Sequence, residues 1–507
     1  MRRNLSNAVL LAVFAVPLLA TSAVAAVGPQ VVVSTPSPYA PSCNGAPQTG
    51  TNFGNSEVEP FVAVNPVQRR NRIGVWQQDR WSNGGSNGVL ARVSDDGGTT
   101  WRNSVSPPFS RCAGGNPRNG GDFERATDPW VSISPDGTAY FMSLSFNDSN
   151  FDNAMLVARS RDGGRTWGPI RTLIRDGVEG FNDKNSLTAD PTDSRFAYAV
   201  WDRLSGNDPS DSRGPVYFTR TTDGGATWEP ARVIHDPGIN NQAIGSIIAV
   251  TPDGTLINVF TEFKNNSVNV GVLHSTDKGQ TWTGPTYIDG LGTVGIIDPR
   301  DGAPVRTGDI LPSIAVDPRP GHDEVYVVWQ DARFTGFQND SVVLSVSDDG
   351  GRLWSAPKRV SPPRSGQAFN ATVDVNADGE LAITYYDFTF DSATDEPLAT
   401  DYWIVRSRDR GTTLDRRERM TAASFDMRLA PVAGGFFVGD YAGLDNAVNQ
   451  FQALYGVTTP APGNPTDMIA QRASGRTEPP GADDQTGTLR AGPQRPTITA
   501  TGRHTRR

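Results

Sequence analysis

One octet, written six times, constrains this chain more than any other feature. SDDGGTTW occupies 94–101, SRDGGRTW 160–167, TTDGGATW 221–228, STDKGQTW 275–282 and SDDGGRLW 347–354, with a worn SRDRGTTL at 407–414. The aspartates at its third position are Asp96, Asp162, Asp223, Asp277, Asp349 and Asp409, at intervals of 66, 61, 54, 72 and 60 residues. Self-similarity at such a period means one supersecondary unit used repeatedly, each copy burying its apolar face against the next.

Other signals keep the same phase. Before each octet lies a short β-branched or aromatic run, such as GVLARVS or VVLSVS. Upstream comes a second run, as in RIGVWQQDR (72–80), FAYAVWDR (196–203) and VYVVWQDAR (325–333). Before that stands a third: PFVAVNP (60–66), PWVSISP (129–135), NSLTADP (185–191), SIIAVTP (246–252), PSIAVDP (312–318) and ATVDVNA (371–377). A fourth, as in PARVIH, follows the octet. Short strands divided by Pro, Gly and Asp turns, without helical periodicity, predict an all-β chain. Four strands per unit predict a β-propeller of four-stranded blades. Six units run from Glu57 to Ala422, and 436–472 offers three more strands without an octet. QVVVSTPSP (30–38) resembles a spare fourth strand, so the spacing favours seven blades with the N-terminal strand closing the last. Six blades and an appended hairpin is the alternative.

Turn chemistry accounts for every residue type of the octet. The glycine tolerates positive φ, and the short aspartate accepts backbone N–H groups of its own turn. The tryptophan is expected to pack beneath it. A calcium loop needs several oxygen ligands at alternating positions and a distal acid, which the octet lacks. The octet aspartates are therefore read as structural.

Composition bounds the rest. In 507 residues, MRRNLSNAVLLAVFAVPLLATSAVAA reads as a signal peptide over 1–25, with basic start, apolar run and Ala-Val-Ala site. The propeller domain is then 26–473, and 474–507, poor in apolar residues, reads as a disordered tail. The expected protein is secreted and monomeric, with no membrane span. Cys43 and Cys112, the only cysteines, are expected to form one disulfide in an oxidising compartment. A net charge of −9 indicates no nucleic-acid surface. Four scattered histidines give no metal cluster or Ser-His-Asp triad, and no cofactor motif is present. Trp76, Trp201 and Trp329 read as core.

If the octets reverse the chain at one end of each blade, the long polar loops lie at the other, where function rides on a rigid scaffold. Aligning the first strands puts Glu59, Asp128, Lys184 and Leu311 at equivalent places around the mouth of a central channel, with Asp440 and Tyr441 from the seventh unit. Second strands end in Asp79 and Arg80, Asp202 and Arg203, Asp331 and Arg333. Acids, arginines and a tyrosine at one mouth can serve glycoside cleavage, which needs a proton donor and a nucleophile on opposite sides of the anomeric carbon.

The octets are similar to the Asp-box, or bacterial neuraminidase repeat, of sialidases and other propeller proteins, and the resemblance covers about 57–475. It implies that the octets face away from the active site. It further implies a carboxylate-binding arginine trio, a tyrosine nucleophile activated by a glutamate, and an aspartate acid. By chemistry these are Arg80, Arg203 and Arg333, Tyr441 with Glu59, and Asp128 or Asp202; Asp79, Asp331 and Asp440 accompany them in substrate binding. The family's N-terminal Arg-Ile-Pro motif is absent. The expected activity is a sialidase-like glycoside hydrolase acting on extracellular glycans, with a non-catalytic carbohydrate- or protein-binding propeller as the alternative.

Overall fold

The computed structural model describes residues 27–475 apart from 207–209, 364–365, 393 and 395. The signal peptide expected over 1–25 and residues 476–507 of the expected tail lie outside the described residues. Ser474 ends the last strand rather than opening a tail.

Among the described residues the regular structure is strand, relieved only by short 3-10 turns. The strands fall in chain order into four-stranded antiparallel sets. The first strands of successive sets are Asn52–Val64, Arg125–Ile133, Phe181–Ala189, Gln242–Val250, Ser313–Val316, Ala368–Val375 and Gly443–Asn446. Each contacts the first strand of the next set, and Gly443–Asn446 returns to Asn52–Val64. A bridge between Ser86 and Ala126 links the first two sets. The last set takes Val31–Val32 as its fourth strand, with Val31 opposite Ala470 and Val32 opposite Ile469. Val33 N–H extends this pairing to the Met468 carbonyl at 2.9 Å.

The core follows from strand alternation. Side chains facing between sets interleave, as Ile73 and Val93 of the first do with Phe141 and Leu156 of the second. Trp76, Trp201 and Trp329 are fully buried. The octet tryptophans are instead half-buried at the margins between neighbouring sets, and the Trp167 indole N–H reaches Ser104 Oγ at 2.9 Å.

Each octet closes as its chemistry requires. Asp96 Oδ1 accepts the N–H groups of Thr99 (3.0 Å) and Thr100 (2.9 Å) and the Ser94 hydroxyl (2.8 Å), while Oδ2 accepts the Thr100 hydroxyl at 2.6 Å. Asp223 accepts Thr227 N–H at 2.9 Å and its hydroxyl at 2.7 Å. Donation from Thr227, backbone and hydroxyl, pulls Asp223 down to about 2. A carboxyl depressed in the fold stabilises it above the unfolded value near 3.9 and loses that contribution as pH falls through the folded value. Asp223 is exposed, so solvent screens this contribution, and Asp223→Ala is expected to lower urea stability by about 1 kcal/mol or less at neutral pH. The difference from wild type should close between pH 4 and pH 2; a pH-independent difference would mean the carboxylate charge is not what holds the turn.

Cys43 and Cys112 are disulfide-bonded, with Cα atoms 4.8 Å apart. One strand departs from expectation. Of the three strands expected over 436–472, the first does not start at Phe436: that residue makes isolated bridges to Val305 and Val432, and continuous pairing begins at Gly443. Gly435 (φ 153°) and Gly439 (φ 136°) take backbone conformations that L side chains rarely adopt. The segment carrying Asp440 and Tyr441 is consequently irregular, and this is what places it in the site.

Candidate functional site

The site begins with a repeated defect in the first strands. Glu59 (φ 54°), Asp128 (51°), Lys184 (49°) and Asn370 (51°) are left-handed, as is Gly245 (71°), each where its strand slips register against the second strand. Such bulges re-aim a side chain, at about 1–2 kcal/mol for a residue with a Cβ. The bulges lie at the ends of the strands away from the octets: Val58 pairs Gln77, whereas Val64 pairs Arg72, which pairs Ser94 at the octet. Gly439 completes the arrangement, since a Cβ there would come within 2.7 Å of the Glu59 nitrogen. Only glycine lets the 439–441 segment lie against Glu59, whose N–H reaches the Val438 carbonyl at 3.2 Å.

What converges is a dense set of charges. Asp440 accepts Arg306 through Nη2 (2.8 Å) and Nε (3.2 Å), and Lys184 Nζ at 2.7 Å. The Arg80 and Arg306 guanidinium groups both stand over the Phe437 ring, 4.8 and 4.5 Å from its centre. Arg80 donates to Gln77 Oε1 at 2.8 Å, and Gln77 Nε2 donates to Glu59. Thr127 Oγ1 donates to Asp128 Oδ1 at 2.7 Å; Asp128 Oδ2 is buried without a hydrogen-bond partner. The Tyr441 hydroxyl meets the Pro129 carbonyl at 3.3 Å.

These neighbours drive the acids apart. Burial, then the charges of Asp128 and Asp440, push Glu59 up to about 8. Burial also opposes the Asp440 charge, but Lys184 and Arg306 outweigh it and hold Asp440 well below the usual carboxylate range. Burial, followed by Glu59, Asp128 and Asp440, raises Tyr441 far above an ordinary phenol. At neutral pH Glu59 thus carries a proton while Asp440 is ionised, a split that suits acid–base work.

Of these groups Lys184, Asp440 and Tyr441 line a cavity of about 160 Å³, together with Asn370, Phe61 and Trp130, whereas Glu59, Asp128, Arg80 and Arg306 stand outside its lining. Phe61 and Trp130 stack at 3.7 Å, and Tyr441 meets both edge-on. The same pair lines a second cavity of about 320 Å³ toward the octet end, so it forms the partition between them.

The expected residues divide accordingly. Glu59, Asp128, Asp440, Tyr441 and Arg80 meet, together with Lys184. Arg203 does not join them: its Nε and Nη2 each reach Asp176 at 2.7 Å. Arg333 likewise binds Asp331 (2.8 Å through both Nε and Nη2) and Asp289 (3.2 Å). Asp331 also accepts the Trp329 indole N–H from its own strand (3.1 Å) and the Gly292 N–H from the preceding connection (3.2 Å), so it serves packing. Asp79 accepts Ser37 Oγ at 2.7 Å and Asn55 N–H at 2.8 Å, which anchors the N-terminal segment. Asp202 is fully buried opposite Asp183, and Gln242 donates to its Oδ2 at 3.1 Å. The arginine trio expected from the resemblance is therefore replaced by Arg80, Arg306 and Lys184. Arg306 was missed; its only trace in the sequence is the longest octet interval, 72 residues, which contains it. Among the described residues Asp317, His322 and Glu324 have ligand-like spacing, but Arg319 and Arg410 already pair the two acids.

No family model matches the chain. Curated relatives come from carbohydrate-active enzymes. One is a sialidase of Micromonospora viridifaciens, 28% identical over 179 residues, covering 30% of this chain and 28% of that protein. Another is xyloglucanase Xgh74A of Acetivibrio thermocellus, 28% identical over 281 residues, covering 51% of this chain and 30% of that protein. The chain thus spans less than a third of the length of these relatives. Similar solved structures include the Hadza microbial sialidase Hz136, with a TM-score of 0.45 and 16% identity over 76% of this chain and 73% of that one. The GH93 α-L-arabinofuranosidase of Fusarium graminearum gives 0.45 and 12% over 88% and 98%.

Proposed function

We propose that the chain is an exported glycoside hydrolase, a seven-bladed propeller closed by its N-terminal strand, that cleaves a terminal sugar held in the cavity beside Tyr441. The observation that carries this reading is the split between a protonated Glu59 and an ionised Asp440 near a tyrosine that lines a cavity. The sialidase and xyloglucanase relatives support a glycan as substrate. Lys184 in the cavity lining, with Arg306 on the same Asp440 carboxylate, favours an acidic sugar, and hence sialidase-type specificity, since cationic donors suit a carboxylate.

In this reading Tyr441 Oη forms a bond to the anomeric carbon and passes its proton to Asp128 Oδ2, the buried oxygen without a partner. The glycosidic C–O bond breaks, and its oxygen takes the Glu59 proton. Water then reverses these transfers. Glu59 serves as the donor rather than as the base for Tyr441, because it holds its proton up to about pH 8.

Fluorogenic glycosides, a sialoside among them, test this. Tyr441→Phe is expected to lower kcat/KM a hundredfold or more, and Glu59→Gln to lower it similarly while keeping ligand binding. Wild-type kcat/KM should fall as pH rises through about 8. Stability gives a second reading. A carboxyl raised in the fold costs stability progressively as pH climbs from its unfolded value near 4.3 to its folded one. Glu59→Gln should therefore gain on wild type between pH 5 and pH 8. Activity indifferent to both substitutions would remove the site.

The hydrogen bond from Tyr441 to Pro129 and the saturation of Asp440 by two cations favour a second reading, in which the cavity binds a sugar without cleaving it. Saturable binding with no turnover across the panel selects that reading.

A further inference from the structure

The cavity beside Tyr441, at about 160 Å³, is smaller than the roughly 300–1,000 Å³ that encloses a drug-sized ligand. A ligand longer than about one sugar ring must leave it across the rim. On that rim lies a groove of about 500 Å³ between the loops of the second, third and fourth sets.

The groove is both apolar and hydrogen-bonding. Phe151, Phe181 and Phe263 line it with Leu204, and Asn240 and Gln242 present side-chain amides. Phe151 is 70% exposed, as is Val178 on the same walls. Exposed apolar side chains gathered in one concave place, rimmed by polar groups, mark a binding surface. The walls are preformed. Asn240 N–H bonds the Ser212 carbonyl (2.8 Å), Gly214 N–H that of Asn241 (3.0 Å), and Ala243 N–H that of Gly214 (2.8 Å). This stitching joins the hairpin of the third set to the connection entering the fourth, so little ordering cost attends binding.

The groove is also linked to the site by a short series of side-chain contacts. Gln242 lines it and donates to Asp202. Asp202 stands opposite Asp183, whose neighbour Lys184 lines the cavity and bonds Asp440. Gln242, Asp202 and Asp183 thus connect the groove to the lining of the cavity. Of the charged groups nearby, Arg213 pairs Asp236 and Arg203 pairs Asp176, while Glu179 lines the groove as an exposed carboxylate.

We infer that this groove is a subsite for the neutral sugars of an oligosaccharide whose terminal sugar occupies the cavity. Ring faces pack on the phenylalanines, and hydroxyls meet the amides of Asn240 and Gln242. The inference rests on the glycan reading of the cavity and extends it from a single sugar to a chain.

The test compares 3′-sialyllactose and cellotetraose with a one-sugar ligand, 4-methylumbelliferyl sialoside, on the full chain. Phe151→Ala and Asn240→Ala alter exposed side chains outside the proposed machinery. Each is expected to weaken calorimetric binding of at least one oligosaccharide about tenfold, with binding and turnover of the one-sugar sialoside unchanged. Turnover without any dependence on these substitutions overturns the groove and leaves the hydrolase standing. Oligosaccharide binding that depends on Phe151, without turnover of any ligand, upholds the groove and overturns the hydrolase. Absence of binding by both oligosaccharides overturns the groove outright.

Discussion

Asp440→Ala is expected to cost about 3–5 kcal/mol of stability. Asp440 is 5% exposed and is the shared counter-ion of Arg306 and Lys184, themselves 32% and 15% exposed. Removing it leaves two cations in a partly desolvated cluster that already contains Arg80. Burying a charge is tolerable when it is paired and severe when its partner is taken away. Urea unfolding measures the loss, and Asp440→Asn, which keeps the shape and a hydrogen-bond acceptor, should fall between wild type and alanine. The carboxyl is depressed in the fold, so the difference should be full above about pH 4 and diminish below it. A loss under 1 kcal/mol would show that solvent screens the cluster and that Asp440 merely decorates it.

The second large effect comes from the disulfide. Cys43 and Cys112 are 69 residues apart in sequence, and between them lies the whole first set of strands. Chain-entropy reasoning gives about 4 kcal/mol for closing a loop of that size in the unfolded chain. The bond also matters locally, because the N-terminal segment pairs with the last strand only over the short stretch from Val27 to Val33 before the chain runs out along the rim. Fastening Cys43 limits how far that strand can stray when it frays. Cys43→Ser with Cys112→Ser should lower the urea midpoint, and wild type under reductant should match the double variant. Coincident midpoints for oxidised wild type and the variant would mean that the strand is held by its pairing alone.

Much of the architecture was legible because it rests on local chemistry. An aspartate, a hydroxyl and a glycine at fixed offsets close a turn whatever the rest of the chain does. Part of the mouth was also legible: Glu59, Asp128 and Lys184 aligned by phase and they meet, although the bulges beneath them left no mark in the sequence and Leu311, aligned with them, sits on none. Which arginines face them was not. In a strand, neighbouring side chains point to opposite faces, so Asp202 turns to Gln242 while Arg203 turns to Asp176. In Asp331-Ala-Arg333 the arginine folds back on the aspartate two residues earlier. The same local pairing recurs at Asp193 and Arg195, Asp298 and Arg300, and Asp317 and Arg319. A D-x-R triplet is thus largely satisfied by itself, and reading its arginine as a free ligand was the error. Arg306 escaped notice for the opposite reason: it enters from an irregular insertion between sets, where no phase marks it.

The left-handed bulges carry a consequence for how this site can change. At 59, 128, 184 and 370 the chain demands a backbone conformation that excludes β-branched residues and is easiest for glycine, asparagine and aspartate. Variation at the mouth is therefore drawn from a short alphabet. New specificities can be written at these four places in charge and length, but hardly in bulk at the β-carbon, and any library aimed at them is best restricted to that alphabet from the start.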